Sequence, residues 1–87
     1  MKTFKDLKIG DCIYETNKPN LLGFWIDKIE DISVNRYYTY FTCVDQDSKT
    51  IVIDISNDFI NDEIYLSRYK IYCTTLESFI DAISENI

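Results

Sequence analysis

The sequence predicts a small domain of the α+β class, mainly β, that ends in one α-helix. Residues 37–44 are a run rich in β-branched and aromatic types, which favour strands. Residues 50–55 carry isoleucine at every second position, and a period of two is that of a half-buried strand. Near the C-terminus the apolar residues fall instead on one helical stripe: Leu76, Phe79, Ile80, Ile83 and Ile87.

The other elements are shorter and are joined by turn-forming residues. Gly10-Asp11 is a turn signal, and residues 12–16 after it read as the first strand. Residues 45–49 form the hairpin loop between the two clearest strands. An acidic connection at 56–63, with one helical turn, leads to two short strands at 64–66 and 70–73.

Residues 21–34 leave two interpretations open. Five apolar residues match one face of a helix, but Gly23 and the β-branched content disfavour a helix. A bent strand explains the same pattern if a bulge near residues 27–28 shifts the phase of the inward side chains. We favour the bent strand and keep the helix as the alternative.

The C-terminal helix is expected over residues 75–86. Thr74 and Glu77 have the spacing of a capping box, in which each side chain bonds a free backbone N–H at the helix start. A helix of roughly eleven residues is marginal in water by itself. The sequence therefore predicts that this helix docks on the sheet.

The opening residues resemble a known family. Residues 4–14, Phe-Lys-Asp-Leu-Lys-Ile-Gly-Asp-Cys-Ile-Tyr, resemble the start of small SH3-like β-barrels, which often read F-x-D-L-x-x-G-D-x-I/V-Y. The chain length indicates a single domain over residues 1–87. The resemblance implies an antiparallel barrel of about five strands at 4–73, and the helix at 75–86 is an appended cap that departs from a minimal SH3-like unit. Such barrels bind peptides, bind nucleic acids or serve structural roles, so the fold does not select a function.

Charge and composition exclude several classes of function. Nine basic residues against fifteen acidic ones give a net charge of −6, which argues against direct binding of nucleic acid or of an anionic membrane. The acidic excess lies in the second half, mostly between Asp45 and Glu63. The N-terminus lacks a signal-peptide pattern and no apolar run is long enough to span a membrane, so we expect a soluble, cytoplasmic protein.

The residue types also argue against catalysis and metal binding. Histidine is absent, and no phosphate-binding loop or nucleophile motif occurs. Cys12, Cys43 and Cys73 each lie in an apolar run, where a free thiol behaves as a small buried hydrophobe. We therefore expect no enzyme, no catalytic residue, no cofactor and no metal site.

Surplus aromatic residues suggest the main hypothesis, a protein-interaction or accessory module. Tyr38 and Tyr40 share one face of the clearest strand, and either the C-terminal helix or a partner must cover them. Trp25 raises the same question, with a core position as the alternative. The predicted interaction patch is therefore Trp25, Tyr38 and Tyr40. The partner is expected to be another protein, with a homodimer left open.

The alternative hypothesis is a phage or mobile-element inhibitor that mimics nucleic acid. Its candidate residues are Asp47, Asp54, Asp58, Asp62 and Glu63. Mimicry requires these carboxylates to form one continuous face, which a structure can test.

Overall fold

The computed structural model describes residues 1–17, 24–67 and 70–86. Six antiparallel strands curl into a half-barrel, and one C-terminal helix packs against it. The strands are β1 (Cys12–Asn17), β2 (Trp25–Val34), β3 (Tyr38–Val44), β4 (Thr50–Ser56), β5 (Ile64–Leu66) and β6 (Lys70–Cys73). Their order across the sheet is β4-β3-β2-β1-β6-β5. The mainly β architecture is confirmed, with six strands in place of about five.

Strand β2 is the bent strand that the sequence favoured over a helix. Its register against β3 shifts between Ile29 and Asp31, so the bulge lies at Glu30 and the expected position at 27–28 was wrong. The prediction failed because the side chain of Asp27, although polar, points inward like those of Trp25 and Ile29. The alternation of β2 is therefore unbroken as far as Ile29. Residues 21–23 of the same prediction lie outside the described residues.

The inner face of the half-barrel holds the larger of two apolar clusters. Its buried members are Phe4, Leu7, Ile13, Ile29, Phe41, Cys43, Ile53 and Ile55. The first two come from the N-terminal segment, which is tied to the β4–β5 connection because the Phe4 N–H donates to the Asp62 carbonyl. Tyr37 precedes β3 and is exposed, and the first inward residue of the strand is Thr39.

Helix α1 (Leu76–Asn86) packs on the outer face of the sheet, as its apolar stripe predicted. Phe79 and Ala82 meet Ile71 and Cys73 in the second buried cluster. The capping box lies one residue later than expected.

The observed caps are Thr75 and Ser78, whose side chains each accept from the other's backbone N–H. Thr74 is instead buried, and its hydroxyl donates to the Lys2 carbonyl.

Candidate functional site

Tyr38 and Tyr40 lie side by side on the outer face of β3. Their ring centroids are 6.1 Å apart, and the Tyr38 side chain remains 39% exposed. Tyr40 is opposite Asp54 of β4 in the sheet register, and Tyr38 is opposite Ser56. The two rings therefore form an aromatic pair at the solvent boundary of the β3–β4 hairpin.

A network of asparagine side chains fixes the backbone under this pair. The Asn35 side-chain oxygen accepts from the N–H groups of Tyr37 and Tyr38, and its side-chain nitrogen donates to the Tyr40 hydroxyl. Asn57, just after β4, donates to the Asn35 carbonyl and accepts from the Thr39 hydroxyl. These hydrogen bonds tie together both ends of the base of the hairpin that carries the rings.

Helix α1 covers the other half of the outer face. It packs on β6, β1 and β5, whereas Tyr38 and Tyr40 belong to β3, two strands beyond β1. The sequence left open whether the C-terminal helix or a partner covers these rings. Helix α1 packs elsewhere on the sheet and does not cover them. The uncovered outer face of β3 and β4 carries tyrosine, threonine and valine side chains, and Val52 is 57% exposed.

Trp25 does not join this patch. It pairs with Glu15 of β1 and faces the inner side of the sheet, where it is half-buried. Alternation puts its neighbour Phe24 on the outer side instead, where the ring stacks on Phe79 at a centroid distance of 4.7 Å. The structure thus separates Trp25 from Tyr38 and Tyr40, with which the sequence grouped it.

The five acidic candidates are spread along the β4–β5 region. Asp47 lies in the hairpin loop before β4 and Asp58 lies after it, so the length of a seven-residue strand, roughly 20 Å, separates them. Asp54 lies on the outer face between them, and Asp62 follows in the turn. Glu63 lines a polar surface depression with Glu77 and other residues at the start of α1.

A second exposed apolar surface lies beside α1. A groove of about 260 Å³ is lined by Thr16, Phe24, Leu76, Phe79, Ile80 and Ile83. Leu76 and Ile80 are each about half exposed there. This groove is on the covered half of the outer face, away from the tyrosine pair.

The inner face contains a buried pair of carboxyl groups that the sequence reading missed. Glu15 is 3% exposed and Asp27 is 0% exposed. They are diagonal neighbours on adjacent strands, since Glu15 pairs with Trp25 and Asp27 pairs with Ile13. Within the described residues, Glu15 Oε2 and both Asp27 oxygens accept no hydrogen bond.

Burial and the neighbouring Glu15 charge raise the pKa of the Asp27 carboxyl to about 8. Once one carboxyl carries a proton, it can donate to the other, because the two groups are within hydrogen-bonding reach. Lys70 Nζ lies 3.6 Å from Glu15 Oε2, which is an ion-pair distance but too long for a hydrogen bond. At neutral pH the Asp27 carboxyl therefore keeps its proton, and Lys70 lies beside the pair.

One signal for this pair was present in the sequence. Ile13 and Glu15 alternate inward on β1, and Trp25, Asp27 and Ile29 alternate inward on β2, so each carboxylate occupies a core position of its strand. A polar residue at such a position marks a buried group that needs a partner.

The thiols of Cys43 and Cys73 are buried, as expected for small hydrophobic residues, and Cys12 is half-buried. Burial raises the pKa of both buried thiols to about 12. Within the described ranges, no cluster of three or more Cys, Asp or Glu side chains could hold a metal ion. No helix in this part of the chain is long and apolar enough to cross a membrane.

The chain was compared with protein-family models, curated proteins and solved structures. None of the three comparisons finds a match.

Proposed function

We propose that this protein is a small, non-enzymatic protein-interaction module that binds a partner protein at the outer face of β3 and β4. One observation carries the proposal: the tyrosine pair lies on the outer face of the β3–β4 hairpin, and helix α1 packs over the opposite half of the sheet. Tyrosine is enriched in protein interfaces because its ring offers a large apolar area and its hydroxyl a polar contact.

We also propose that the fold is related to SH3-like barrels. The SH3-like opening at residues 4–14, together with the curled antiparallel sheet, supports an SH3-like half-barrel with an added helix. We also propose a cytoplasmic location. The nucleic-acid mimic stays an alternative prediction, and the spacing of Asp47 and Asp58 at opposite ends of β4 favours it less.

The double variant Tyr38→Ser/Tyr40→Ser is expected to lose its partner. Removing two aromatic anchors at an interface typically costs more than tenfold in affinity. The measurement is quantitative mass spectrometry of proteins captured from host lysate by the wild type and the variant, with circular dichroism to establish that both are folded.

The matched control is Leu76→Ser/Ile80→Ser, which alters the apolar groove beside α1. The control should capture the same partner as the wild type. Loss of the partner by the groove variant alone, or equal capture by all three proteins, would contradict the proposal.

A further inference from the structure

Strand β4 is an edge of the sheet. It is the last strand in the order β4-β3-β2-β1-β6-β5, and no described strand lies on its other side. An edge strand presents a row of unpaired backbone groups that can accept another strand.

The hydrogen-bond phase identifies which backbone groups these are. Two backbone hydrogen bonds lie at the two ends of the β3–β4 ladder. The Asn57 N–H donates to the Tyr37 carbonyl, and the Asp45 N–H donates to the Lys49 carbonyl, each at 2.9 Å. Bonded and non-bonded pairs alternate along an antiparallel ladder. The register therefore bonds the isoleucines of β4 to β3 and turns the N–H and C=O groups of Thr50, Val52 and Asp54 towards the free edge.

Side chains at the same three positions are exposed on the outer face, next to the tyrosine pair. Seven residues without a bulge make β4 a long edge, and Val52, the middle one of these three positions, is 57% exposed. The edge and the aromatic face are thus parts of one continuous surface.

Charge indicates what kind of strand fits there. Residues 45–63 contain six carboxylates and one lysine. Asp47, Asp54 and Asp58 lie before, on and after β4, so the surroundings of an added strand are acidic along its length. A second copy of this chain, with its own net charge of −6, is disfavoured by repulsion.

We propose that the edge of β4 binds an extended basic segment of the partner protein as a seventh strand. This rests on the proposed function and names the partner's recognition element. Backbone groups of Thr50, Val52 and Asp54 supply the hydrogen bonds. A basic side chain opposite Asp54 forms a cross-strand ion pair and reaches across β4 towards the Tyr40 ring, which favours cations on its face.

The test uses an acetylated and amidated seven-residue peptide of alternating lysine and threonine, with fluorescence anisotropy as the readout. Val52→Pro removes an N–H that points to the free edge and leaves the bonds to β3 in place, a position where sheets tolerate proline. Val52→Thr is the matched control, since it changes the side chain but keeps the N–H. We expect binding to fall at least tenfold in the proline variant and to change less than twofold in the threonine variant.

A second variant keeps the test decisive if the proline variant does not fold. Asp54→Lys should weaken binding of the lysine peptide at least fivefold and strengthen binding of the same peptide with glutamate in place of lysine. Raising the salt concentration should weaken the wild-type complex, because exposed charges are screened.

Three results would overturn the proposal. They are no binding of the lysine peptide by the wild type, equal binding by Val52→Pro and wild type, or a wild-type dimer that Val52→Pro dissociates. If one of these results is obtained but capture of the partner protein still depends on Tyr38 and Tyr40, the strand-addition proposal fails and the proposed function stands. Failure of the one can therefore be distinguished from failure of the other.

Discussion

Replacing Asp27 by asparagine is expected to raise the free energy of unfolding at pH 9 by about 3 kcal/mol while changing it little at pH 5. Asparagine has the shape of the protonated carboxyl and can donate to Glu15, but it carries no charge. At pH 9 the wild-type protein must hold two buried negative charges side by side, and the variant holds one.

The sign of this pH dependence follows from the proton that the Asp27 carboxyl keeps in the folded protein. The pKa of Asp27 is raised from an ordinary value of 3.8 to about 8. Between these two values the folded protein keeps a proton that the unfolded chain releases. The contribution to stability is therefore complete below about pH 4, decreases as pH rises towards 8, and is gone above it.

Chemical denaturation at pH 5, 7 and 9, followed by Trp25 fluorescence, measures this dependence. Cys43 and Tyr72 also face the pair, but both have pKa values raised by burial and do not titrate in this range. Asp54→Asn, at an exposed carboxylate, is the control and should keep the wild-type pH dependence. An unchanged dependence in Asp27→Asn would contradict the raised pKa of the Asp27 carboxyl.

Replacing Phe79 by alanine is expected to lower the free energy of unfolding by about 3–4 kcal/mol, the usual cost of removing a buried phenylalanine. Phe79 is 3% exposed, stacks on Phe24 and contacts Tyr14, so it is the main anchor of α1 on the sheet. A helix of eleven residues has little stability without such docking.

Ile80→Ala is the matched control, since Ile80 is the next residue of the same helix and is 51% exposed. Its cost should be below about 1 kcal/mol. Urea denaturation followed by circular dichroism measures both variants. Equal costs for the two substitutions would contradict the packing of α1 described above.

Elements with a strong period could be predicted from the sequence. The alternating isoleucines of β4 and the apolar stripe of α1 each define one buried face, so their type, extent and docking follow from local pattern. The predicted position of the bulge in β2 was wrong because Asp27 points inward. A hydrophobic pattern assigns a polar residue to the outer face, so it did not predict this orientation.

The candidate sites could not be predicted from local pattern, because they depend on contacts between segments that are distant in the sequence. The exposure of Tyr38 and Tyr40 depends on which half of the sheet α1 covers, and a helix stripe does not specify its partner strands. The pairing of Glu15 with Asp27 depends on the β1–β2 register. Trp25 and Tyr40 are both aromatic strand residues, but the phase of β2 puts them on opposite faces of the sheet.

Amide hydrogen exchange along β4, measured by NMR with and without the lysine–threonine peptide, tests the central claim most directly. In the free protein the amides of Thr50, Val52 and Asp54 should exchange rapidly, whereas those of Ile51, Ile53 and Ile55 should be protected by β3. Saturating peptide should protect the first three. Slow exchange at these positions in the free protein, or no added protection with the peptide bound, would contradict an open edge that accepts a partner strand.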